Sequence, residues 1–126
     1  MRSCTTARSG SSINKGTAMR PFEGVRVVDL TRVVSGPYCT QILGYLGAEI
    51  VKIEDRAGDS TRHGPGDATL KKEGMSATFL MFNSGKKSVT LDLKKPEAKE
   101  IVMQLAKTAD VFVENFRPGV VARLGF

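Results

Sequence analysis

The sequence contains no tryptophan, one histidine (His63) and two cysteines (Cys4 and Cys39). With a single histidine, most zinc sites and histidine-based catalytic triads lack their parts. The two cysteines stand far apart in unlike contexts, which gives neither a disulfide framework nor a metal-binding spacing. No apolar run approaches the ~20 residues that span a bilayer. What remains is an ordinary globular composition, 40% hydrophobic and 25% charged, in 126 residues. That is enough for one domain with a core of its own.

Acidic residues are missing from the first 18 positions, which hold Arg2, Arg8 and Lys15. The net charge of +6 is therefore only +3 over the rest. Lys71–Lys72, Lys86–Lys87 and Lys94–Lys95 are scattered, with no basic stripe and no interleaved aromatics, so nucleic acid is not the expected partner. A mild, dispersed excess suits a small polyanion. The leader MRSCTTARSGSSINKGTA is Ser/Thr-rich and lacks the apolar core of a secretory signal. Two readings stay open: a transit peptide, or an over-extended frame whose true start is Met19. Its weak amphipathic periodicity favours the second. On either reading residues 1–19 are expected to be disordered, and residues 20–126 to form the domain. The expected location is cytoplasmic, or mitochondrial if the leader is a transit peptide.

From Arg20 onward the pattern is regular. Val25–Leu30 is short, β-branched and preceded by Gly24, which predicts a buried strand. Ser35-Gly-Pro37 predicts a helix start with Ser35 as N-cap. Cys39, Ile42, Leu43 and Leu46 then fall on one apolar face, and Gly47 ends the helix. Glu49–Ile53 completes a βαβ unit with parallel strands. Residues 54–75 read as a long functional or mobile loop, and Met75–Phe82 as one or two helical turns. Lys87–Leu91 is a third strand. Pro96 opens a helix with Glu97 in its first turn and Ala98, Ile101, Val102 and Leu105 on its buried face. Asp110–Glu114 is a fourth strand, residues 115–119 a turn, and Val120–Leu124 the start of another helix. The pattern is α/β, a Rossmann-like doubly wound parallel sheet. The chain stops early in that last helix and leaves a sheet edge unfinished, which predicts a piece of a longer protein.

In open α/β sheets ligands bind beyond the carboxyl ends of the strands. The segments there carry Arg32, Arg56, Arg62, Lys94, Arg117 and Arg123. Guanidinium groups and the helix starts at Gly36 and Gly119 favour a phosphate-bearing ligand. A dinucleotide is the weaker alternative. Glu54 is placed to take a ribose hydroxyl, but the first turn reads SGPYCT, with one glycine and with Tyr38 crowding a pyrophosphate.

Five ordered blocks carry a resemblance. They are Gly24–Pro37, Leu46–Glu54, Gly58–Arg62, Phe82–Lys94 and, most specifically, Asp110-Val-Phe-Val-Glu-Asn-Phe-Arg-Pro-Gly119. Together they closely resemble the opening of family III coenzyme A-transferases, over residues 20–126. The family includes formyl-, oxalyl-, succinyl- and carnitine-CoA transferases, and α-methylacyl-CoA racemases that share the N-terminal fold. Its members are much longer, and are dimers whose chains interlock like rings.

The resemblance implies that Arg32, Val33, Val34 and Ser35 contact coenzyme A after the first strand. Leu91, Asp92, Leu93 and Lys94 would line its adenosine part. Asn115, Phe116, Arg117 and Arg123 would lie near pantetheine and phosphates. Where the family often has an arginine after the second strand's Glu, this chain has Asp55. Either Arg56 takes its place, or that contact is missing. Coenzyme A would be a substrate with a carboxylic acid; no resident cofactor, metal, membrane or nucleic acid is implied.

The family's nucleophile is an aspartate that attacks the acyl-CoA thioester. It lies beyond Phe126, so no catalytic residue is expected here and this chain alone should be inactive. Asp29 and Glu114 read instead as hydrogen-bonding neighbouring backbone, and His63 as solvated. The alternatives are an acyl-CoA racemase, needing a downstream His/Asp pair, and a non-catalytic coenzyme A-binding module. The long loop 54–75 and Asn115-Phe-Arg117 lean towards a transferase.

Overall fold

The computed structural model describes residues 19–66 and 68–126. The expectations for the leader fall outside them, except at Met19. Four strands, β1 (Arg26–Asp29), β2 (Glu49–Glu54), β3 (Lys87–Thr90) and β4 (Val111–Val113), form one sheet in the order β3-β2-β1-β4. All three pairings are parallel. The β-branched β1 and β2 take the centre and are buried on both faces, as parallel sheets require.

Alternation along β1 sends successive side chains to opposite faces. Val27 packs with Ile50 and with Leu43 of helix α1 (Ser35–Tyr45). Val28 packs with Ile53 and with Val102 of helix α4 (Pro96–Lys107). Helices α1 and α4 therefore cover opposite faces, and the sheet is doubly wound as the sequence predicts. Pro96 occupies the first turn of α4, with Glu97 beside it and Lys107 in the last turn, charges that suit the helix dipole. Ala98 and Val102 are buried, but Ile101 is exposed. At 100° per residue Ile101 lies on the border of the stripe defined by Ala98, Val102 and Leu105.

Helix α1 departs further from expectation. Its buried residues are Gly36, Pro37, Thr40 and Gln41, while Cys39, Ile42 and Leu46 are exposed. The cause is close approach. A Cβ at Gly36 would lie 2.4 Å from Thr31 Cβ, and one at Gly44 would lie 3.3 Å from Ile50 Cγ1. Small residues let the backbone settle on the sheet, and the polar ones turn inward and hydrogen-bond there. The Gln41 amide nitrogen, for example, donates to the Ser84 carbonyl at 2.8 Å. Ser35 is the first helical residue and not the cap; Val34 is the cap and contributes no side-chain bond.

The segment 54–75 is not a bare loop. It holds a 3₁₀ turn at Ser60–His63, capped by Asp59, and the short helix α2 (Ala68–Lys72). Helix α3 (Ala77–Asn83) follows, with Ser76 as its N-cap accepting from the Phe79 amide. A final short helix, α5 (Val120–Leu124), closes the described chain. Among the described residues no helix is long and apolar enough to cross a membrane.

Segment 54–75 is tied down by Glu54. Its carboxylate accepts from Arg62 Nε at 2.7 Å and Nη2 at 2.6 Å, from Ser88 Oγ at 2.7 Å and from the Asp59 amide at 2.9 Å. The Arg62 guanidinium also lies 3.7 Å from the Phe79 ring centre. Burial alone would raise the Glu54 pKa, but the bonds from Arg62, Ser88 and the Asp59 amide outweigh it and lower it from 4.5 to about 2. A carboxylate depressed in the folded state contributes stability above its unfolded pKa and loses it as pH falls towards the folded one. Urea unfolding should therefore show a loss between pH about 4.5 and about 2. The Glu54 contribution to it is on the order of 3 kcal/mol. Glu54→Gln should flatten that limb; an unchanged acid limb would remove Glu54 from the account.

Candidate functional site

The turn after β1 is fixed atom by atom. The Thr31 amide donates to Asp29 Oδ1 at 2.8 Å, and the Thr31 carbonyl accepts from Lys52 Nζ at 2.7 Å. The Arg32 amide donates to Asn115 Oδ1 at 2.8 Å, and the Arg32 carbonyl accepts from Asn115 Nδ2 at 2.9 Å. The Val33 amide donates to Asp59 Oδ2 at 3.2 Å. Val33 has φ 71°, a left-handed conformation that β-branched residues rarely adopt. Such strain, of order 1–3 kcal/mol, persists only where the surroundings over-determine it. Here they do, and the result is that Val33 and Val34 stand out at the rim, 51% and 44% exposed.

Two buried ion pairs lie under this turn. Lys52 and Asp59 are 3.2 Å apart, and Lys86 and Asp29 are 3.0 Å apart. All four side chains are almost fully buried. Each charge has further partners. Asp29 also accepts from the hydroxyls of Thr31 at 2.5 Å and Thr40 at 2.6 Å. Lys86 also donates to the Pro37 carbonyl, Thr40 and Asn83. Burial pushes the Lys86 pKa down, with Asp29 opposing it. Burial would raise the Asp59 pKa, but hydrogen bonds from Thr61 and the charge of Lys52 hold it low.

At the carboxyl ends of the strands a cleft of about 190 Å³ is lined by Arg32, Asp55, Asp92, Leu93, Lys94, Phe116 and Leu124. Arg32 Nη2 lies 2.7 Å from Asp55 Oδ2, and the guanidinium lies 5.8 Å from the Phe116 ring centre. Five residues expected from sequence to touch one ligand (Arg32, Asp92, Leu93, Lys94 and Phe116) thus share one cavity, although they come from three separate loops. The others are placed differently. Leu91 packs on the core beneath, and Asn115 pins the Arg32 backbone. Val33 and Val34 on the turn and Ser35 at the start of α1 are exposed, outside the cleft lining. Arg56, Arg117 and Arg123 are exposed and also outside it. Arg62, counted among the rim cations, is occupied by Glu54. A larger cavity, about 440 Å³, lies at the amino ends of β2 and β3, where Gln41, Tyr45, Ile50 and Lys86 line it. It gathers none of the expected residues, and the strand carboxyl ends are where this sheet type binds ligands.

Asp29 and Glu114 bond neighbouring amides, those of Thr31 and Phe116, as the sequence predicts. His63 is exposed. Sequence reasoning missed Lys52, Asp59 and Lys86. One signal was present: a lysine inside the apolar run of β2 has to find a buried acid.

The Lys52–Asp59 pair generates a prediction. Asp59→Ala leaves a buried ammonium uncompensated and should cost about 3–5 kcal/mol in urea unfolding, as should Lys52→Met. The double substitution should cost well under the sum; additivity would show that the two residues do not act as a pair.

The model of CoA-transferase family III matches residues 22–126. The chain is 46% identical over 108 residues to a formyl-CoA:oxalate CoA-transferase of Rhodopseudomonas palustris (strain BisA53), covering 85% of this chain and 25% of that protein. It is 46% identical over 110 residues to a succinyl-CoA:glutarate CoA-transferase of Mus musculus, covering 86% and 24%. Among solved structures, Rv3272 of Mycobacterium tuberculosis superposes with a TM-score of 0.73 at 42% identity, covering 84% of this chain and 27% of that one. A CaiB/BaiF family protein of Brucella suis superposes with a TM-score of 0.75 at 37% identity, covering 84% and 28%. The chain thus spans about a quarter of the length of the curated relatives it matches. It belongs to CoA-transferase family III.

Proposed function

We propose that this protein serves in moving coenzyme A between an acyl-CoA and a carboxylic acid, and that the cleft at Arg32 and Phe116 holds part of the coenzyme. The observation that carries this reading is the meeting of Arg32, Asp92, Leu93, Lys94 and Phe116 in one cavity at the carboxyl end of the sheet. Leu93, Phe116 and Leu124 offer apolar surface to uncharged parts of the coenzyme, and Arg32 and Lys94 offer donors to its phosphates. The two curated relatives named above are transferases, and no observation favours the racemase reading.

The chemistry is assigned to a carboxylate nucleophile outside these 126 residues. It attacks the thioester carbonyl, coenzyme A leaves as its thiolate, and a mixed anhydride forms. The thiolate then attacks the enzyme's own carbonyl, and the donor acid departs. The acceptor carboxylate takes up the next step in the same manner. Asp29 is unsuited to that task, because Thr31, Thr40 and Lys86 already bond it in a buried setting. The residues described here hold and orient the coenzyme. The same reading makes the complete protein a cytoplasmic homodimer of interlocked chains.

Titration calorimetry tests the binding half. Coenzyme A should bind, and Lys94→Ala should weaken it about 3–10-fold, as expected for one lost phosphate contact. A folded protein, by circular dichroism, that gives no coenzyme A heat would sink the reading. Binding without transfer of coenzyme A from formyl- or succinyl-CoA to oxalate or glutarate in the complete protein would leave a non-catalytic module.

A further inference from the structure

We propose that Asp55 is a charge filter in the cleft: by occupying Arg32 it weakens the hold on any phosphate that enters. The inference deepens the coenzyme A reading and rests on it.

Four charged side chains line the cleft, Arg32 and Lys94 against Asp55 and Asp92, so it is formally neutral. That is an unexpected balance for a site meant for a polyanion. The two acids differ in what they do. Asp92 turns its Oδ1 to the amide of Lys94 in its own loop, at 3.2 Å. Asp55 instead presents Oδ2 to Arg32 Nη2 at 2.7 Å, while its Oδ1 accepts from the Ala57 amide at 2.9 Å. The second bond fixes the carboxylate in its loop, so it meets Arg32 without ordering a free side chain. Arg32 is held from three sides. Asn115 grips its backbone, Phe116 lies near the guanidinium, and Asp55 takes one edge.

The pair is 35% and 39% exposed, so an incoming ligand reaches it. Exposed pairs of this kind contribute only about 0–1 kcal/mol, because water screens them. A phosphate therefore competes for Arg32, but it does so against a carboxylate that stays within a few ångströms and repels it. The gain from the guanidinium is offset by that repulsion. The cleft then selects its ligand more by the apolar contact of Leu93, Phe116 and Leu124 than by charge.

The test compares coenzyme A with pantetheine, which lacks phosphate, by calorimetry on the wild-type protein and two variants. Asp55→Asn keeps an acceptor for the Ala57 amide and removes the charge. Asp55→Glu keeps the charge. Asp55→Asn should tighten coenzyme A about 3–10-fold and leave pantetheine unchanged. The gain should shrink as salt rises from about 0.05 to 0.5 M, since the screening length falls from about 14 Å to about 4 Å. Asp55→Glu should bind coenzyme A like the wild type. Coenzyme A affinity that stays level or falls in Asp55→Asn, or that rises equally in Asp55→Glu, would overturn the inference while leaving the coenzyme A reading intact. If neither wild type nor Asp55→Asn binds coenzyme A, both fall together.

Discussion

The rim of this sheet depends on a buried salt bridge, that between Lys52 and Asp59. Lys52 rises from the middle of a central strand with its side chain almost fully buried, and an unpaired ammonium there would be prohibitively costly. Its partner, Asp59, arrives from the segment after the same strand. Once the two meet, other features follow. Lys52 reaches on to the Thr31 carbonyl, and Asp59 reaches on to the Val33 amide. One ion pair thus fixes both ends of a three-residue turn and forces Val33 into a left-handed conformation. It also starts the 3₁₀ turn at Ser60–His63, because Asp59 caps it. The loops after β1 and β2 are welded into one unit, and Asn115 adds the loop after β4. Three segments distant in sequence then present side chains into the same cleft.

The same economy of polar contacts explains the inverted helix α1. Buried Asp29 needs donors, and Thr40 supplies one only if that side of the helix faces the sheet, beside Lys86 from the segment before β3. The glycines allow the approach. The apolar residues Tyr38, Ile42, Tyr45 and Leu46 are turned outward as a result. Satisfaction of buried charge has outweighed burial of aliphatic surface: a methylene is worth about 0.8 kcal/mol, and an unpaired buried charge costs several times more.

This marks where the sequence was legible and where it was not. The strands, their parallel direction and the starts of α4 and α5 follow from β-branched runs, glycine punctuation and Pro96, all local signals. Helix α1 was read from hydrophobic periodicity, which assumes that apolar residues face the core. That assumption fails where the core contains ions. The buried face of α1 answers to Asp29, Ser84 and Lys86, partners that periodicity cannot see because they are up to 49 positions away along the chain. Segment 54–75 looked structureless for a like reason. Its order comes from Arg62 reaching back to Glu54 and from Ser76 bonding the Thr61 carbonyl, not from any helical or strand pattern. The cleft itself was partly legible, since its lining residues sit in blocks with recognisable chemistry. What the blocks do not reveal is that Asp55 faces Arg32.

Counting cations along the rim therefore overstates how much charge a ligand meets. Of the six expected there, Arg62 is spent on Glu54 and on the face of Phe79. Arg32 is shared with Asp55. Lys94 is exposed and lines the cleft, and Arg56, Arg117 and Arg123 stand outside it in solvent. A guanidinium locked in a buried bidentate pair is structural cement, whereas one in a third-exposed pair is negotiable, because a ligand need only match a weak interaction to take it. The difference between Arg62 and Arg32 is thus one of solvent access and not of residue type. It separates the arginine that builds the rim from the arginine that stays open to solvent.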